Sequence, residues 1–132
     1  MNEARLIDGK FPEVKVGEHW GPICGPWFWD NNYGATIFCK LLDSMYTSGT
    51  VIRRQDRPLK SRGLMIGICT SSDKDLAKCT GGNNKISDDD LWYCAPNEKA
   101  SVEIHCKGKF DCLLLIQKFC QLADTVKQCN TS

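Results

Sequence analysis

The chain has 132 residues, 42% of them hydrophobic and 25% charged, a composition that fits one globular domain. Seventeen Lys and Arg against sixteen Asp and Glu leave a net charge of +1, which excludes a nucleic-acid binder driven by overall charge and an acidic solvating tail alike. Its longest apolar run, residues 112–116, falls far short of the roughly 18 residues that a membrane-spanning helix needs.

Arg5-Leu6-Ile7 reads as a first strand closed by the turn-former Asp8-Gly9, and Val14-Lys15-Val16 as a second closed by Gly17. Trp20-Gly21-Pro22-Ile23-Cys24 is a third extended piece, because Pro22 holds its predecessor in extended geometry. Gly25-Pro26 then turns the chain. Over residues 31–42 the apolar positions Ala35, Phe38, Cys39 and Leu42 recur at helical spacing, with Asp30 or Asn31 as the N-cap. A loop and a short strand around Thr50-Val51-Ile52 come next. Residues 64–69 are a compact apolar run that reads as one buried strand, and residues 73–78 fit one or two helical turns. Residues 80–90 form a polar loop before Leu91-Trp92-Tyr93-Cys94 returns to the core. Residues 101–106 alternate as a last strand, and residues 111–127 place Ile116, Phe119, Ala123 and Val126 on one stripe of an amphipathic helix.

Nine cysteines are the compositional outlier. Structural zinc wants close pairs such as C-x2-C, whereas no two cysteines here lie closer than six apart and only His19 and His105 could assist. The count therefore points to a disulfide scaffold made in an oxidising compartment. Met1 is followed by Asn2, Glu3 and Arg5 with no apolar signal segment. The expectation is an extracellular module cut from a longer secreted or cell-surface protein.

The order of cysteines and their neighbours over residues 4–108 resembles the scavenger receptor cysteine-rich (SRCR) domain. That family's Trp-Gly-Thr-Val-Cys motif is matched by Trp20-Gly21-Pro22-Ile23-Cys24, and its helix Ala-x-Val-Val-Cys-Arg-Gln-Leu by Ala35-Thr36-Ile37-Phe38-Cys39-Lys40-Leu41-Leu42. Cys69 and Cys79, with Leu76 three before the second, fit Cys-x-Gly-x-Glu-x-x-Leu-x-x-Cys. Cys94, Glu98-Lys99-Ala100-Ser101-Val102 and Cys106 match the closing Cys-x-x-x-Glu-Asp-Ala-Gly-Val-x-Cys element loosely. The resemblance implies an α+β fold, a small disulfide-stapled curved β-sheet of about five or six strands cradling one α-helix. It also implies the pairs Cys24–Cys94, Cys39–Cys106 and Cys69–Cys79. The fourth bond of the eight-cysteine group would fall near Lys10 and Ser44, so the pattern is the six-cysteine one. Residues 1–108 are thus expected to form the SRCR-like domain, and residues 109–132 a C-terminal helical extension.

Several side chains are candidates for chemistry. The resemblance implies ligand recognition or adhesion, in some members through calcium or magnesium held by clustered carboxylates. A hard cation needs several converging oxygens, but Gly25-Pro26 and Met65-Ile66-Gly67-Ile68 stand where the family has paired acids. Asp30, Asp73 and Glu98 are what survive of a metal site, so no cofactor is expected and calcium is kept only as an alternative. Residues 53–62 hold Arg53, Arg54, Arg57, Lys60 and Arg62 against a single Asp, which suits sulfate, phosphate or carboxylate ligands; a solvated loop is the alternative. Trp27-Phe28-Trp29 cannot all face inward from one turn, which makes Trp27 or Trp29 an apolar anchor for a partner. Nothing places a histidine beside a nucleophile with an orienting acid, so no enzyme is expected. The expected partners are a protein or polyanionic ligand and neighbouring domains of a parent protein, with no nucleic acid and no membrane insertion. A structural spacer without a ligand of its own is the alternative.

The remaining cysteines, Cys112, Cys120 and Cys129, fall eight and nine residues apart in the C-terminal helical pattern. At about 1.5 Å per residue they would stand roughly 12–13 Å apart, beyond the roughly 7 Å a disulfide tolerates. Within one straight helix none can pair with another. Asn130-Thr131-Ser132 has the form of a glycosylation sequon.

Overall fold

Three strands open the fold, β1 (Glu3–Ile7), β2 (Phe11–Val16) and β3 (His19–Pro22), hydrogen-bonded antiparallel in that order. The computed structural model describes residues 3–54, 57–81, 93–94 and 99–108. The C-terminal helix with Cys112, Cys120 and Cys129, the sequon, most of the polar loop after Thr80, and Glu98 lie outside the described residues. At the first turn Asp8 and Gly9 both take positive φ, 55° and 74°, and the Lys10 N–H donates to Ile7 O at 3.1 Å. An Asp-Gly pair adopts this conformation at low cost, which is why the turn was legible. In β2 the buried residues are Pro12, Val14 and Val16, a period of two that faces one side of the strand into the core.

The helix α1 (Tyr33–Leu42) buries Ala35, Phe38 and Cys39 of the expected stripe together with Gly34, and Leu42 is partly buried against the same core. The N-cap is Asn32, one residue after the expected Asn31, and it makes no side-chain cap bond; Asn31 instead braces the entry to the helix, its Oδ1 accepting from the Tyr33 N–H at 3.0 Å while its Nδ2 donates to Cys69 O. The helix packs on β4 (Tyr46–Arg54), where the Thr36 hydroxyl and the Gly49 backbone exchange hydrogen bonds of 3.1 and 3.2 Å. β4 is nine residues long and much exceeds the three-residue strand expected.

After residue 57 the chain makes short pieces: β5 (Gly63–Leu64), β6 (Gly67–Ile68), β7 (Thr80–Gly81) and β8 (Tyr93–Cys94), paired β5 with β8 and β6 with β7. The apolar run over residues 64–69 is therefore two strands and not one. Gly67, at φ 82°, breaks it in a conformation that favours glycine. Only one 3-10 turn, Leu76–Lys78, forms within residues 73–78, with the Asp75 side chain accepting from the Ala77 N–H. The last described strand, β9 (Val102–Gly108), pairs antiparallel with β4.

Disulfides join Cys24 to Cys94, Cys39 to Cys106 and Cys69 to Cys79, the pairs that the resemblance implies. The larger core combines α1, β2, β9 and the Cys39–Cys106 and Cys69–Cys79 sulfurs; a smaller one gathers Leu59 and Ala100 around Cys24–Cys94. The result is a small mixed α+β domain of antiparallel strands, one helix among the described residues, and three disulfides.

Candidate functional site

The basic stretch of residues 53–62 is not one loop. Arg53 and Arg54 end β4, and Arg57, Lys60 and Arg62 follow in irregular chain, all exposed. Register sorts the two strand arginines. Arg53 stands opposite Glu103 on β9, and its Nε lies 3.6 Å from Glu103 Oε2. Lys10, after the first turn, reaches the other oxygen at 3.3 Å. The Glu103 side chain is 7% exposed, so this carboxylate is buried beneath the two cations. A buried charge requires partners of this kind.

Phe11 extends the cluster. Its ring centroid lies 5.8 Å from Lys10 Nζ and 4.6 Å from the Arg57 guanidinium carbon, within cation–π range. Lys10, Arg53 and Arg57 thus form one patch built around Glu103 and Phe11. Arg57 and Lys60 further share the lining of a cleft. Arg54 goes elsewhere, donating to Trp29 O at 3.3 Å, lying 3.5 Å from Asp30 Oδ1, and covering the Trp29 ring. The structure brings Arg53, Arg57 and Lys60 to this region of the surface and gives Arg54 a separate set of contacts.

The two tryptophans separate in the same way. Trp27 is 50% exposed and takes φ 69°, an uncommon conformation for an aromatic residue. Trp29 packs against the larger core beneath Arg54. Its ring fills the space where a Cβ on Gly25 would stand, which explains the glycine after Cys24. Of the pair, Trp27 is the more exposed.

The candidate cation ligands have local partners. Asp30 faces Arg54, and Asp73 Oδ2 accepts from the Thr70 N–H at 2.8 Å and the Thr70 hydroxyl at 3.1 Å, stapling that turn. Among the described residues no three His, Cys, Asp or Glu side chains gather where they could hold a metal ion.

Lys10, Phe11 and Glu103 were missed by sequence reasoning. They lie far from residue 53 in the chain and meet it only in the fold, Glu103 through β4–β9 pairing and Lys10 through its ion pair with Glu103, so no local spacing marks them. No family model, curated protein or solved structure matches the chain. No helix among the described residues is long and apolar enough to cross a membrane.

Proposed function

We propose that the chain is a divergent six-cysteine SRCR-type module that recognises anionic ligands outside the cell through the surface around Lys10, Arg53, Arg57 and Lys60. The observation that carries the reading is this cationic cluster, assembled from three separate segments around one buried carboxylate and one aromatic ring. Coincidence of the three disulfides with the family's pairing supports the SRCR assignment. A hydrogen bond from the Ile104 N–H to Lys10 O, 2.9 Å, links the opening sheet to the β4–β9 ribbon and supports a continuous curved sheet. Three disulfides are the chemistry of an oxidising environment, and the module's expected setting is a secreted or cell-surface protein. Trp27, half exposed, is the apolar contact offered to a protein partner in this reading.

The test is binding of dextran sulfate by the chain and by the double variant Arg57→Gln, Lys60→Gln. Arg53 is left in place because Glu103 needs it. At low salt the variant should bind about tenfold more weakly, and the wild-type affinity should fall steeply as salt rises. Unchanged binding by the double variant would favour the spacer role.

A further inference from the structure

Three apolar side chains form a ridge on α1 outside its buried stripe. Tyr33, Ile37 and Leu41 recur every four residues, so they stand in one line along the helix. Tyr33 is 46% exposed, and Ile37 and Leu41 are only partly buried. Together with Leu76 and the turn that precedes it, this ridge walls an open groove of about 650 Å³. The charges at the groove cancel, with Lys40 and Lys74 against Asp73 and Asp75. A groove that is apolar along one wall and neutral in sum suits an amphipathic segment, not a polyanion.

The path of the backbone says which segment is at hand. The Thr36 hydroxyl meets Gly49 and the Asn32 side chain accepts from the Val51 N–H, so β4 runs antiparallel to α1. β9 is antiparallel to β4 and therefore runs in the same direction as α1. It ends at Gly108, opposite Tyr46, where a Cβ would stand 2.6 Å from Met45 O. The Tyr46 N–H in turn donates to the carbonyl of Asp43, the C-cap of α1. The chain thus leaves β9 beside the C-terminal end of the helix, next to Met45, another apolar side chain, which is 52% exposed.

Residues 109–132 continue from that point. Their helical pattern over residues 111–127 corresponds to about 25 Å at 1.5 Å per residue, against about 15 Å for α1. Its charges cancel as well, Asp111 and Asp124 against Lys118 and Lys127. We propose that residues 111–127 fold back as a helix antiparallel to α1 and dock their apolar stripe in this groove. Counted from the turn at Met45, Ile116 falls level with Ile37 and Phe119 level with Tyr33. The proposal goes beyond the anionic-ligand reading and shares no residue with that surface.

The test is NOE spectroscopy on the full chain with its disulfides intact. Within one chain, the Ile116 methyls should give cross-peaks to Ile37, and the Phe119 ring should give them to Tyr33. Phe119→Ser should remove the second set and shift the Tyr33 and Ile37 signals, while the Val14 and Ile104 signals of the larger core stay in place. Ile37→Ser should remove the first set. Absence of both sets in the wild type overturns the proposal, as do contacts from Ile116 and Phe119 to another face. A mixture of isotope-labelled and unlabelled chains tests the rival occupant, a second copy. Cross-peaks found only between chains would assign the groove to that copy and overturn the proposal too. The wild-type cross-peaks decide the matter even where a variant fails to fold.

Discussion

In the larger core the helical stripe Ala35, Phe38 and Cys39 meets Val14 and Val16 of β2 and Val102 and Ile104 of β9, so Cys39–Cys106 fastens elements that already share an apolar surface. The smaller core has no such surface to begin with. Cys24, Cys94, Leu59 and Ala100 come from two-residue strands and irregular segments, with Met65 packed against them, and the disulfide is itself much of the apolar mass. Periodic patterning supplies cohesion on one side of the domain; covalent closure supplies it on the other. A chain of this size buries only about two-thirds of its unfolded surface, so a region without amphipathic elements depends on the cross-link.

Removing each long-range disulfide separately breaks this contrast most forcefully. The two bonds span 70 and 67 residues, so loop entropy in the unfolded chain assigns each the same value, about 4 kcal/mol. Both Cys24→Ala/Cys94→Ala and Cys39→Ala/Cys106→Ala should therefore lower the denaturant midpoint by similar amounts. Their native states should differ. The first variant should lose hydrogen-exchange protection locally, at the Cys24 amide that donates to Leu64 O and at β5, before the rest of the domain. The second should lose protection across β4 and β9 only as global stability falls. Local loss in both variants would mean that the larger core depends on its disulfide as the smaller one does.

Glycines beside the two bonds sharpen the same contrast at a smaller scale. A Cβ at Gly49 would stand 2.4 Å from Ala35 O and 2.6 Å from Cys39 Sγ, so Gly49→Ala must push β4 off the helix backbone. A Cβ at Gly63 would meet Cys94 Sγ at 2.5 Å, Cys24 Sγ at 2.8 Å and Leu59 Cδ1 at 2.9 Å, all side-chain atoms. Overpacking should cost about 3 kcal/mol at Gly49 and about 2 kcal/mol at Gly63. Chemical denaturation of the variants checks the order, and double mutants test the cause. On the Cys24→Ala/Cys94→Ala background the Gly63→Ala cost should largely vanish, because the obstructing sulfurs are gone. On the Cys39→Ala/Cys106→Ala background the Gly49→Ala cost should persist, because the Ala35 carbonyl remains.

What could be read in advance divides along the same line. The stripe of α1, the alternation of Val14 and Val16 and the Asp8-Gly9 turn follow from local chemistry, and all three were legible. The length of β4 was not: Tyr46-Thr47-Ser48-Gly49 has no apolar alternation, and its strand conformation comes from pairing with β9. The break at Gly67 was hidden inside an apolar run, where a single glycine competes weakly with a strong hydrophobic signal. Consecutive Arg53 and Arg54 look equivalent in one dimension, yet one meets a buried carboxylate and the other a tryptophan and Asp30.

The smallest expected effect concerns Glu103, a residue of the candidate site that sits on β9 between Val102 and Ile104 of the larger core. Lys10 and Arg53 are half and more than half exposed, so each alone contributes little beyond a surface ion pair, under about 1 kcal/mol. Together they cover a carboxylate that is 7% exposed, and Lys10→Gln/Arg53→Gln should cost about 2 kcal/mol, more than the two singles combined. Adding Glu103→Gln to that double variant should restore most of the loss, because the group that needed cations is gone. Thermal melts of the four variants measure this. In the wild-type background Glu103→Gln has a second consequence, in binding rather than stability. It frees both cations from their internal anion and adds one net positive charge to the surface, so dextran sulfate affinity at low salt should rise. A fall would mean that Glu103 positions Lys10 and Arg53 for their ligand, and that the carboxylate is a working part of the site rather than a competitor within it.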